Sequence, residues 1–115
     1  MNNKEIALFA AKLLNEKKAL DPVVLDVSKK SSFADYLIIA GAASERQIHA
    51  LTSEVEDKLA EMGIFGKGAE GRPASGWVLL DFGDIVINVF SPEMRNRYNL
   101  EKVWGDCAPL ELNLE

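Results

Sequence analysis

The chain has 115 residues, 48% of them hydrophobic and 27% charged, which suits a single soluble domain with a real core and leaves no room for two. Its 13 Lys and Arg against 18 Asp and Glu give a net charge of −5, which argues against extended binding along a nucleic-acid backbone and favours a basic protein as partner. The longest apolar runs are strand length rather than membrane length, and no basic segment leads into an apolar one at the start. The single Cys107 allows no internal disulfide and no cysteine zinc site, so the sequence reads as cytoplasmic.

Ile6, Phe9, Ala10, Leu13 and Leu14 recur at helical spacing and predict an amphipathic helix over 3–19, ended by Asp21-Pro22. Val23 to Val27 reads as a β-branched strand, Lys29 to Ser32 as a polar turn, and Tyr36 to Ala40 as a central apolar strand. Ser44 stands three residues before Gln47, the spacing of a capping box. The stripe Ile48, Leu51, Val55, Leu59 and Met62 that follows predicts a second helix, with Gly63 just beyond its end. The glycine-rich stretch from Gly66 to Gly76 predicts a connection with one short strand around Lys67 to Glu70.

Trp77 to Phe90 then reads as a hairpin around Gly83-Asp84, pairing Phe82 with Ile85, Leu80 with Ile87 and Val78 with Val89 on an apolar face. The opposite face carries Trp77, Leu79, Asp81, Val86, Asn88 and Phe90, a mixture that either lies under another element or meets a partner. Ser91-Pro92-Glu93 starts a last helix, on which Leu100, Val103 and Trp104 fall on the core side and Met94, Arg95, Tyr98 and Lys102 on the other. The expected fold class is α/β, a mixed sheet with helices packed on it. One domain spans 1–108, with a short tail over 109–115.

Catalytic signals are thin. His49 lies off the apolar stripe of its helix, where a solvent-facing role is favoured, and Cys107 has no nearby His and falls in a short mobile tail. Asp26, Asp35, Asp81 and Asp84 form no tight acidic motif for a divalent metal. Gly66-Lys67-Gly68 lacks the phosphate-loop pattern, and Gly41 to Ser44 is explained by a turn and a cap as well as by an anion site. Neither metal nor cofactor is expected. Met, Tyr and Arg on the last helix, with Trp77, Leu79 and Phe90 on the second hairpin face, instead suggest a surface that binds a protein.

Asp26-Val27-Ser28, Ser31 to Tyr36, Trp77 to Asp81, Gly83 to Val86 and Tyr98 to Trp104 stand in the order seen in the Iojap family of ribosomal silencing factors. The chain resembles that family over nearly its whole length, and the pairing of Trp-x-x-x-Asp-x-Gly-Asp with Arg-x-x-Tyr-x-Leu-Glu-x-x-Trp carries the resemblance. One departure is Asn88, where relatives commonly have His.

The resemblance implies a non-enzymatic factor that binds ribosomal protein number fourteen of the large subunit and sterically blocks the small subunit, lowering translation in starvation. It also implies a nucleotidyltransferase-like topology and frequent homodimers, while the charge balance and the short apolar runs lead us to expect neither direct sequence-specific nucleic-acid binding nor a membrane role. On the residues, Trp77, Leu79 and Asp81 of the hairpin with Met94, Arg95 and Tyr98 of the helix are expected to make the contact. Trp77 would be the apolar anchor, Asp81 the partner of a basic side chain, and Arg95 a donor to backbone or carboxylate. Two other classes stay open: a nucleotidyltransferase-like or metal-dependent enzyme using Asp26, Asp81 or Asp84, and a structural assembly or dimerisation module.

Overall fold

The two long helices end by the same device. In the computed structural model, which describes residues 1–112, α1 (Asn3–Glu16) opens on a capping box in which Asn2 and Glu5 exchange hydrogen bonds. It closes with Lys18 N–H on the Asn15 carbonyl and Ala19 N–H on the Leu14 carbonyl, around a Lys18 φ of +72°. In α2 (Glu45–Glu61), Gly63 and Ile64 donate to Ala60 and Leu59 in the same pattern, with Gly63 at φ +81°. Both are Schellman ends, and glycine is the residue that takes such a φ without strain.

The Gly63 ending was legible in the sequence. The Lys18 ending was not, and α1 therefore stops three residues short of the expected 19. Asp21-Pro22 does not terminate the helix. It lies inside β1 (Leu20–Asp26), where Asp21 at φ +43° and a register irregularity between Leu20 and Val23 absorb the proline.

Ser44 caps α2 as expected: its Oγ accepts the Gln47 N–H at 3.0 Å, while Gln47 Oε1 accepts from Ala43 at 2.6 Å and Gln47 Nε2 donates to the Lys18 carbonyl at 3.0 Å. Ser44→Ala should cost about 1 kcal/mol, seen as a lower urea midpoint at unchanged slope.

Among the described residues five strands form one mixed sheet in the order β1-β2-β5-β4-β3. β2 (Tyr36–Gly41) and β5 (Ile85–Phe90) are the central parallel pair, and every other neighbouring pair is antiparallel. β4 (Trp77–Asp81) pairs with β5 in the expected register, Leu80 opposite Ile87 and Val78 opposite Val89, with Phe82 N–H on the Ile85 carbonyl and Gly83 at φ +87° in the turn. β3 (Gly68–Arg72) lies slightly downstream of its expected position and leads through a 3-10 turn, Pro73–Ser75, into β4.

The sheet is covered on both faces. α1 and α2 pack on the side of Ile38, Ala40, Leu80, Ile87 and Val89, where Ala7, Ala10 and Ala11 let α1 approach closely. Against the other side, bearing Leu37, Ile39, Val86 and Phe90, lie Met94, Leu100, Trp104 and Cys107. The last helix is two: α3 (Pro92–Tyr98) and α4 (Leu100–Val103), separated by Asn99 at φ +42°, whose side chain accepts from Lys102 N–H.

That break corrects two expectations. Val103 does not face the core but is 66% exposed, and Cys107 does not hang in a mobile tail but is buried in the second core cluster. The chain beyond 108 also docks: Pro109 bridges to Leu25, and Leu110 N–H reaches the Val24 carbonyl at 2.8 Å, covering the β1 edge. Residues 113–115 of the expected tail lie outside the described residues.

Candidate protein-binding site

The second hairpin face is divided by burial. Phe90, Asn88 and Val86 on β5 are buried, whereas Trp77, Leu79 and Asp81 on the neighbouring β4 are half-exposed. Trp77 organises the exposed half. Its ring stacks on Phe90 beneath (centroids 5.0 Å, planes 28° apart) and carries Tyr98 of α3 above (4.8 Å, 43°). Its Nε1–H donates to Asn88 Oδ1 at 3.0 Å. Such aromatic contacts add about 0.5–1.5 kcal/mol per pair beyond buried area. The Asn88 Nδ2 is buried without a hydrogen-bond partner among the described residues, so the Trp77 bond is what satisfies this amide in part.

Trp77, Leu79, Met94 and Tyr98 meet around one groove of about 270 Å³, closed on its other side by Glu70, Gly71 and Ser75. Four of the six expected contact residues therefore converge. The groove is possible because Gly71, at φ +84°, brings β3 against the Trp77 carbonyl, where a Cβ would stand 2.2 Å from that oxygen. Glu70, Gly71 and Ser75 were not singled out by the sequence, since their place depends on the β3–β4 register.

Asp81 and Arg95 are placed elsewhere. Asp81 is at the far end of β4, with Oδ1 accepting the Gly83 N–H at 2.8 Å, so that oxygen serves the hairpin turn. Arg95 points to the opposite side of α3. Its Nε donates to Glu101 at 2.9 Å, and its two terminal nitrogens to the carbonyls of Leu20 (2.8 Å) and Asp21 (2.7 Å). This fork ties α3 and α4 to the irregular start of β1, beside a second cleft lined by Gly41, Pro92 and Asn96. The donor role expected of Arg95 toward a partner is thus filled by its own chain.

The candidate catalytic groups stand apart from the groove. His49 is exposed on α2, and Cys107 is buried. Asp26 accepts from both the hydroxyl (2.6 Å) and the N–H (3.1 Å) of Ser28, which hold its carboxyl below the usual carboxylate range. Asp35 and Asp84 share the Asn3 amide at 3.2 and 3.1 Å. Among the described residues no group of three His, Cys, Asp or Glu side chains is placed to hold a metal ion. No helix among them is long and apolar enough to cross a membrane.

Comparison with known proteins gives a consistent result. A family model described as "Ribosomal silencing factor during starvation" matches residues 1–115. The chain is 44% identical over 110 residues to the ribosomal silencing factor RsfS of Bacillus subtilis, covering 96% of this chain and 92% of that one. It is 32% identical over 95 residues to the mouse protein named "Mitochondrial assembly of ribosomal large subunit protein 1", covering 80% of this chain and 42% of the mouse protein. A crystal structure of a protein from Chromobacterium violaceum aligns with a TM-score of 0.87 at 36% identity, covering 100% of this chain and 95% of that one.

Proposed function

The chain belongs to the ribosomal silencing factor family, and on that premise we propose that it binds the large ribosomal subunit through ribosomal protein number fourteen and physically excludes the small subunit. The observation that carries this reading is the half-exposed groove of Trp77, Leu79, Met94 and Tyr98. It is a preformed, largely apolar cradle with aromatic walls, the composition that dominates binding energy at protein interfaces. An interface of about 1,600 Å² around it would suffice for stable association. The net charge of −5 suits a basic ribosomal protein, because opposite potentials speed and orient the encounter.

Exclusion then follows from size. The folded body measures 33 × 32 × 30 Å, too large to be accommodated by side-chain adjustment at a surface where two subunits meet. Silencing in this form requires affinity and bulk and no reacting group, so the protein acts without catalysis and works in the cytoplasm, where its target is found. Trp77 and Tyr98 supply the apolar anchor and Asp81 a carboxylate at the hairpin end. Arg95 is a positioning residue, holding α3 so that Met94 and Tyr98 face Trp77.

Sedimentation of purified subunits tests the proposal. Added protein should travel with the large subunit and reduce joined ribosomes. Tyr98 is 45% exposed, so Tyr98→Ala should leave the fold nearly intact while weakening large-subunit binding by ten-fold or more. A wild-type protein that binds neither subunit would overturn the proposal. Unchanged binding by a folded Tyr98→Ala variant would remove the groove from the contact.

A further inference from the structure

Beside the aromatic groove is a cleft of opposite character. Arg46 and His49 on the first turns of α2 converge with Arg72 at the end of β3 around about 640 Å³, with Glu45 the one carboxylate on its wall. All four side chains belong to exposed residues, and neither arginine takes part in an ion pair among the described residues, where the paired cations are Lys17, Lys30, Lys58 and Arg95. In a chain of net charge −5, two unpaired guanidinium groups from distant segments against one carboxylate make a small local excess of positive charge, bounded by Glu45 and Glu93 in the adjoining hollow.

The cleft is also continuous with the groove. Pro73 and Ala74 line both it and an intermediate hollow, whose further wall, Ser75 and Met94, belongs to the aromatic groove. Arg72 is the cross-strand neighbour of Trp77. A partner seated on Trp77 and Tyr98 would therefore bring its adjoining surface over the arginines.

We infer that this cleft receives the phosphate backbone of large-subunit RNA, as a second contact beside the one the groove makes with protein. The inference rests on the proposed function, because the large subunit is the particle that presents basic protein and RNA phosphates side by side. Guanidinium forks match phosphate oxygens in two-point hydrogen bonds, and His49 adds a ring donor or acceptor at the same rim. The contact takes in one or two phosphates rather than an extended track, in keeping with the charge of the whole chain. It reads no bases. At long range the acidic body and the RNA repel each other, so the patch also fixes which side of the protein can approach.

The test compares the wild type with an Arg46→Glu/Arg72→Glu double variant, both exposed positions. Binding to isolated large subunits is measured between about 50 and 200 mM salt, and binding to purified ribosomal protein number fourteen in parallel. The double variant should bind the subunit at least ten-fold more weakly, with a log–log salt slope shallower by about 1.4 to 1.8, the increment for two phosphates. Its affinity for the isolated protein should change less than two-fold.

Equal subunit affinity and slope in both proteins would overturn the inference and leave the proposed function standing. An equal loss against the subunit and the isolated protein would assign the arginines to a protein contact instead, which also overturns it. Failure of the wild type to bind subunits would overturn the proposed function and this inference together.

Discussion

Trp77→Ala is expected to lower stability by roughly 3 kcal/mol and to abolish detectable association with the large subunit. The stability loss comes first from volume: the indole contacts both Phe90 and Tyr98, and its removal leaves those rings without their shared partner. A polar penalty is added. Asn88 is only 1% exposed, its Nδ2 already lacks a partner, and removing the Trp77 Nε1–H strands its Oδ1 as well.

Because fold and binding fall together in this variant, Trp77→Phe separates them. It keeps an aromatic ring between Phe90 and Tyr98 but loses the hydrogen bond, so it should forfeit about 1–2 kcal/mol of stability and retain most of the binding. Urea unfolding beside subunit sedimentation distinguishes the cases. A Trp77→Ala protein that is folded at the assay temperature and still binds would show that the indole is a packing element only.

Arg95→Ala carries the second large effect, roughly 2–4 kcal/mol of destabilisation. Its side chain is only 16% exposed and spans Glu101 and the carbonyls of Leu20 and Asp21. The Leu20 carbonyl borders, and the Asp21 carbonyl lies within, the stretch where β1 departs from regular pairing with β2, and Asp21 has no partner residue there. Arg95→Lys should recover less than half of the loss, since one ammonium cannot reach three acceptors with the geometry of the planar fork.

The expected signature is faster hydrogen exchange in residues 20–23 and 92–101 rather than throughout the sheet. Binding should weaken in proportion to the loosening of α3. If Arg95→Ala destroyed binding while stability and exchange stayed at wild-type levels, Arg95 would be a direct contact rather than a positioning residue.

What could be read from the residues depended on how local the determining interaction was. The β4–β5 register was legible because Gly83-Asp84 fixes the turn and the apolar alternation on each side fixes the phase. α2 was legible from Ser44, its apolar stripe and Gly63. The end of α1 was not, because Lys18 adopts a left-handed φ that nothing in a lysine announces.

The division of the last helix turned on Asn99, whose left-handed backbone ends α3 and whose side chain caps α4. Projecting a single helix across it put Val103 on the wrong side. Within the candidate site, Trp77, Leu79, Met94 and Tyr98 could be foreseen from facing and residue type. The inward engagement of Arg95 could not, since its acceptors lie far back in the chain and are backbone atoms. Arg72 escaped notice for a related reason: its importance comes from a strand pairing and a neighbouring helix rather than from its own surroundings in sequence.

The parallel pairing of β2 with β5 has a kinetic meaning. These strands form the middle of the sheet, yet one comes from residues 36–41 and the other from 85–90. Joining them requires closing the long loop that holds α2, β3 and β4, an entropic cost met before the central hydrogen bonds can repay it. The hairpins β1–β2 and β4–β5 involve short closures and can assemble independently. Folding should therefore be limited by the docking of two preformed halves along the β2–β5 seam. During synthesis, the apolar strand Tyr36–Gly41 must wait with one edge open until residues 85–90, some three-quarters of the way along the sequence, have been made.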